Sequence, residues 1–198
     1  MMSESPLQRL ILASSSQYRQ MLLRRLSIPF DCISPEIDET PLGNEAPADY
    51  VVRMAIEKAS KVASNEPQAI VIGSDQTALF EGQVIGKPGD FKQAVAQLTA
   101  FSGQEVDFLT AVTVVNPQQG FAQSHTDTTR VSFRQLQREE IERYLHKEQP
   151  FDCAGSFKVE SLGVTLFTAV RSTDPTAIIG LPLIETAAML RQAGIMLP

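Results

Sequence analysis

A mixed α/β fold, a twisted sheet flanked by helices, is predicted by three features of this chain. Apolar strand-like runs alternate with amphipathic helical stretches through the first half. Two long strand-like runs, Val106–Val115 and Phe121–Phe133, face each other across the turn Asn116-Pro117-Gln118-Gln119-Gly120 and read as an antiparallel pair. The apolar run Leu10-Ile11-Leu12-Ala13 meets a helical pattern through the hydroxyl-rich Ser14-Ser15-Ser16. Alternating elements followed by an antiparallel pair predict a mixed sheet covered by helices, with a cleft at the strand ends. At 198 residues and 43% hydrophobic, the chain suffices for one substantial core or two lobes sharing a cleft, and a single domain over residues 1–198 is expected.

The elements follow in order. Leu10–Ala13 reads as a buried strand, and Gln17–Leu26 as a helix whose Leu22, Leu23 and Leu26 form the inner face. Phe30–Ile33 is a second strand, cut off by Ser34-Pro35, and the acidic loop Glu36-Ile37-Asp38-Glu39-Thr40-Pro41 leads to a long helix from Pro47 to about Ala63. The apolar strand Ala69–Ile72 is expected to break at Gly73-Ser74-Asp75-Gln76, with Thr77–Phe80 and a Glu81-Gly82 turn after it, and Gly86-Lys87-Pro88 closing the unit. Asp90 caps a helix to about Ala100 that Ser102-Gly103 ends. After the antiparallel pair come a helix over Arg138–Lys147, an irregular segment over Cys153–Gly163 and a strand over Val164–Val170. A final helix over Leu183–Ala193 is opened by Pro182 and stopped by Gly194.

Composition narrows the function. Lys+Arg 17 against Asp+Glu 23 gives a net charge of -6, which argues against a nucleic-acid polymer as partner and leaves a free nucleotide open. Cys32 and Cys153 lie far apart, and with His125 and His146 they offer neither zinc spacing nor a disulfide scaffold. No run approaches the roughly 18 apolar residues of a membrane span and no leader pattern opens the chain, so a soluble cytoplasmic protein is expected, with no membrane partner. Walker-type GxxxxGK[ST] and nucleophile-elbow GxSxG motifs do not occur.

The candidate chemistry is that of an anion held beside carboxylates. A helix N-terminus leaves backbone N–H groups unpaired and partly positive, Ser16 is a favourable N-cap, and Arg19 adds a cation where the dipole disfavours one unless an anion comes to meet it. Lys58 falls on the apolar stripe of its helix with Val51, Ala55 and Val62, so it points inward and needs a partner. Lys87 sits in a stiff turn as a third cation. Asp75, at the end of an apolar strand, is the first choice for a general base. Glu36, Asp38, Glu39 and Asp75 are the carboxylates open to a hard divalent ion, which takes one or two of them together with substrate phosphate oxygens.

These segments, together with Glu57-Lys58-Ala59, Cys153-Ala154-Gly155-Ser156-Phe157-Lys158-Val159-Glu160 and Gly180-Leu181-Pro182, resemble in order the Maf family of nucleoside triphosphate pyrophosphatases. The resemblance implies a fold like that of inosine triphosphate pyrophosphatases, two lobes around a cleft. It also implies hydrolysis between the α and β phosphates with a divalent cation, Mg²⁺, Mn²⁺ or Co²⁺. Carried onto this sequence, it makes Asp75 the proton acceptor and Ser14, Arg19, Lys58 and Lys87 the phosphate-binding residues. Glu39 becomes the acidic-loop residue nearest the metal, which it would hold with Asp75. Gly73-Ser74-Asp75-Gln76 and the Cys153–Lys158 segment resemble the subgroup that prefers 7-methyl-GTP, with Tyr18, Gln76 and Glu160 at the specificity positions.

N7-methylguanine carries ring charge, which an aromatic face attracts by about 0.5–2 kcal/mol, and a carboxylate can accept from the guanine N1–H and N2 amine. Tyr18 stands where that subgroup carries tryptophan, which implies looser selectivity for the methyl group. Two competing expectations remain from sequence. One is a dTTP/UTP preference, disfavoured by Glu160 in place of a neutral glutamine. The other is a cell-division regulator that acts by binding. A homodimer is left open.

Overall fold

The structure is a computed structural model and describes residues 8–198; the expectation of no leader segment over residues 1–7 concerns residues outside that range. Its strands are β1 Leu10–Leu12, β2 Asp31–Cys32, β3 Ile70–Phe80, β4 Gln83–Ile85, β5 Glu105–Asn116, β6 Phe121–Phe133 and β7 Phe167–Arg171. Its helices are α1 Gln17–Arg24, α2 Pro47–Asn65, α3 Phe91–Phe101, α4 Arg138–Glu148 and α5 Leu183–Gln192. The sheet is mixed, in the order β2-β1-β3-β5-β6-β7 with β4 beside β3. Strand β1 runs parallel to both β2 and β3, whereas β3 with β4 and β6 with β7 are antiparallel. The expected mixed sheet flanked by helices is what forms.

The described residues group into two compact units: the first gathers residues 8–75, Ala111–Thr126 and Gly180–Pro198, the second Gln76–Thr110 and Asp127–Ile179. In the first unit, Ile11 and Val71 from the strands, with Ala13 and Ala69 at the strand ends, close over Ala59, Val62 and Ala63 of α2. The α2 stripe is continuous, with Val51, Met54, Ala55, Lys58, Ala59, Val62 and Ala63 all buried, as the helical spacing predicts. Pro47 opens that helix, since its missing N–H costs nothing at the first position.

In the second unit the core is aromatic. Phe157 meets Phe108 edge-on at 5.2 Å, Phe133 at 5.8 Å and Phe167 at 4.8 Å between ring centroids, the geometry that ring quadrupoles favour. Gly155, with φ of 79°, passes so near Phe108 that a Cβ would lie 2.9 Å from its ring. The Cys153–Gly163 segment is therefore seated on the core although it forms no regular element before Leu162.

Three local expectations need correction. The strand does not break at Gly73: β3 runs unbroken through Gly73, Ser74, Asp75 and Gln76. Glycine is required there because α2 lies directly on the strand, where a Cβ would collide with the Ala55 carbonyl and sit 2.6 Å from the Ala59 nitrogen. The second strand forms but shrinks to Asp31–Cys32, both exposed, while the flanking Ile33 packs against the core of the first unit. Residues Leu162–Leu166 form a 3₁₀ turn, with the Thr165 hydroxyl donating to the Leu162 carbonyl at 2.8 Å, and β7 begins only at Phe167.

Candidate active site

The first unit brings together one anion-seeking group and one ion-paired cluster. At the β1–α1 junction the buried Ser14 hydroxyl accepts from the Ser16 N–H at 3.1 Å, and Ser16 caps α1 by accepting from the Arg19 N–H at 3.4 Å. The Arg19 side chain donates through Nε to the Gly180 carbonyl at 2.9 Å and reaches Ser14 Oγ from Nη1 at 3.5 Å. Gly180 has a φ of 123°, which only glycine adopts without strain, and its carbonyl also accepts from the Ser74 hydroxyl at 3.0 Å. Among the described residues no carboxylate lies within ion-pairing distance of Arg19. Burial lowers its pKa, while the charges of Asp75 and Glu39 act the other way. Most of the five-donor fork thus stays available in a place with little water.

Lys58 carries its charge inward from α2. Its ammonium lies 2.7 Å from Asp75 Oδ1 and 3.0 Å from Glu39 Oε1, with Lys58 only 6% and Asp75 8% exposed. Consecutive strand residues face opposite sides of a sheet, so Asp75 turns toward α2 together with Gly73, and the close approach that Gly73 permits is what lets Lys58 reach it. Of the acidic loop, only Glu39 meets the cluster. Asp38 accepts from the Thr40 N–H at 2.9 Å; the Thr40 side chain first, and then that N–H, hold its carboxyl below the usual range, and Glu36 is exposed.

Two residues that sequence reasoning missed hold this loop on α2. Tyr50 donates from its hydroxyl to the Glu39 carbonyl at 2.9 Å; burial first, and then the charges of Asp75 and Glu39, push its pKa up. Arg53 lies over the Tyr50 ring at 5.5 Å, grips Glu45 with two bonds of 2.6 and 2.7 Å, and donates to the Thr40 carbonyl at 3.2 Å. Bidentate arginine–carboxylate geometry fixes direction as well as distance. The only sequence signal for this latch is the Arg53–Glu57 spacing of i,i+4, a pair at 3.1 Å. Arg53→Ala should release the loop: amide hydrogen exchange over residues 36–45 should speed up and turnover should fall by roughly tenfold or more as Glu39 drifts. Unchanged exchange there would refute the latch.

The remaining expected site residues are each described within their own unit. Tyr18 is half-buried on α1. In the second unit, Lys87 is exposed on a turn anchored where the Gly86 carbonyl accepts from Gln97 at 3.1 Å and the Gly89 N–H donates to the Phe151 carbonyl at 3.0 Å. Glu160 is exposed on a loop tied to the end of α4: the Lys158 N–H donates to the Tyr144 hydroxyl at 3.1 Å, Lys158 Nζ to the Glu148 carbonyl at 3.1 Å, and Ser161 to the Glu148 carboxylate at 2.6 Å. Lys158 thereby satisfies a carbonyl at the C-terminus of α4. Gln76 donates its amide N–H groups to Thr110, Ala177 and Ile178. Among the described residues no group of three or more His, Cys, Asp or Glu side chains is placed to hold a metal, and no helix is long and apolar enough to cross a membrane.

Fold and site define a mixed α/β protein with a buried cation–carboxylate cluster beside a helix N-terminus. The chain belongs to the Maf family: residues 9–193 match the family described as Maf-like protein. It is 56% identical over 190 residues to a 7-methyl-GTP pyrophosphatase of Xanthomonas campestris pv. campestris, covering 96% of this chain and 98% of that one. Proteins of the same name from Aromatoleum aromaticum and Pseudomonas savastanoi pv. phaseolicola are 50% identical over 190 residues and 49% identical over 189, each covering 96% of this chain and 98% of theirs. Among solved structures, the Ham1 protein of Staphylococcus aureus aligns at 14% identity with a TM-score of 0.45, over 78% of this chain and 89% of that one. A HAM1 protein of Coxiella burnetii aligns at 12% identity with a TM-score of 0.48, over 93% and 98%.

Proposed function

We propose that this protein is a nucleoside triphosphate pyrophosphatase that converts 7-methyl-GTP to 7-methyl-GMP and pyrophosphate. The observation that carries the reading is Arg19: a partly buried guanidinium without a carboxylate of its own among the described residues, in the field of the Lys58–Asp75–Glu39 cluster. The names of relatives near 50% identity over almost their full length support the substrate. In this mechanism Ser14, Arg19, Lys58 and Lys87 bind phosphate oxygens. Asp75 accepts a proton from water as its oxygen bonds to the α phosphorus, and the bond to the bridging oxygen breaks to release pyrophosphate. Lys58 offsets the charge of Asp75 before substrate arrives and, by leaning toward phosphate, frees that carboxylate for the proton. Tyr18, Gln76 and Glu160 read the base.

Asp75 and Glu39 fit a hard divalent cation such as Mg²⁺, Mn²⁺ or Co²⁺. They already present oxygens to one ammonium, so positive charge is favoured between them, and such ions complete their shell with substrate phosphate oxygens. When bound, the ion polarises the phosphoryl group and lowers the pKa of the attacking water. A cytoplasmic setting suits the reduced thiols of Cys32 and Cys153, neither of which is in a disulfide.

Pyrophosphate release from 7-methyl-GTP, GTP, dTTP and UTP, with and without a chelator, tests the reading. The expected result is 7-methyl-GTP turned over at least about tenfold more efficiently than UTP, and no turnover with the chelator. Equal efficiency on UTP would overturn the substrate, and full activity in chelator the role of the metal.

A further inference from the structure

Gln76 is fixed in one orientation by its surroundings. Its Nε2 lies 2.9 Å from Thr110 Oγ1, 3.0 Å from the Ala177 carbonyl and 3.1 Å from the Ile178 carbonyl. Carbonyl oxygens only accept, so the terminal atom facing them must be the nitrogen; the opposite amide orientation would set oxygen against oxygen. The fully buried Thr110 tightens the arrangement, because its own proton is donated to the Ala177 carbonyl at 3.0 Å and its oxygen is left as an acceptor. Both N–H groups of Gln76 are therefore occupied. No hydrogen bond from a described residue reaches its Oε1. Among the described residues no fully buried side-chain nitrogen or oxygen is without a partner, so Oε1 opens to solvent.

We infer that Gln76 meets its ligand only as an acceptor, through Oε1, and that Thr110 is a positioning residue that keeps it so together with the Ala177 and Ile178 carbonyls. This rests on the nucleotide reading above and deepens it. A fixed acceptor suits a base with an N–H at the middle of its pairing edge, such as guanine, hypoxanthine or uracil. It rejects adenine and cytosine, which present a lone pair there and would leave two acceptors facing each other. A free glutamine would turn its amide to suit either kind and would discriminate little.

The test is steady-state kinetics of the wild type, Thr110→Val and Thr110→Ser on 7-methyl-GTP, GTP, ITP, ATP and CTP. For the wild type, kcat/KM on the N–H bases should exceed that on ATP and CTP by at least about tenfold. Thr110→Val should raise KM for the guanine nucleotides by about 3- to 10-fold with kcat retained, narrowing that gap, and Thr110→Ser should restore it. Thr110→Ala serves the same comparison where valine disturbs the packing, and Gln76→Met, which has no acceptor, should lose the gap. Equal KM values in wild type and Thr110→Val, or a uniform fall in kcat on every substrate, would overturn the inference. A wild type that releases no pyrophosphate from any nucleotide would instead overturn the functional reading on which it rests.

Discussion

Asp75→Asn should cut turnover of 7-methyl-GTP by about 10²–10⁴-fold, the usual contribution of a positioned general base, while the fold persists. Asparagine retains an oxygen where Oδ1 now accepts from Lys58 at 2.7 Å, so the α2–β3 contact survives with the amide in place. KM should change little, because Ser14 and Arg19 do not depend on Asp75 for a hydrogen bond. The measurement is kcat and KM together with thermal unfolding of the same preparation. Full activity in the variant would remove Asp75 from the chemistry, and lost folding would show that its role is structural.

Lys58→Met should be the most destabilising change in the site. The ion pair is buried on both sides, with side-chain exposures of 8% and 12%, and removing one partner of such a pair costs about 3–5 kcal/mol because the other charge stays behind uncompensated. Two carboxylates would then face each other, although Glu39 is 58% exposed and can swing to water, which places the cost toward the lower end of that range. The double variant Lys58→Met with Asp75→Asn discriminates between causes. If the stranded carboxylate is responsible, the second change should recover much of the lost stability; if the methionine merely fits poorly, the two losses should add. Denaturant unfolding of the four proteins in the cycle provides the answer.

The parts of this architecture that rest on local rules were legible in the residues themselves. A serine before a helix, a proline at the first position of α2 and a lysine on an apolar stripe each carry their geometry in near neighbours, and Ser16, Pro47 and Lys58 take up the expected places. What was hidden depends on contacts distant in sequence. Gly73 looked like a strand break because glycine usually ends strands, yet its missing side chain makes room for the α2 backbone and so extends β3 through Asp75. Glu39 is set apart from Glu36 and Asp38 by the fastening of the loop through Tyr50 and Arg53, which no local pattern encodes. Likewise, nothing local marks Thr110, Ala177 and Ile178 as the groups that orient Gln76.

The central claim is that Arg19 and Lys58 hold the phosphates of a triphosphate whose α phosphorus lies within reach of Asp75. A crystal structure with a non-hydrolysable analogue of 7-methyl-GTP and Mg²⁺ measures this directly. The account predicts phosphate oxygens within hydrogen-bonding distance of the Arg19 guanidinium and the Lys58 ammonium, and the Asp75 carboxylate facing the α phosphorus through one water. Phosphates bound away from Arg19, with Lys58 still closed on Asp75 and Glu39, would contradict it.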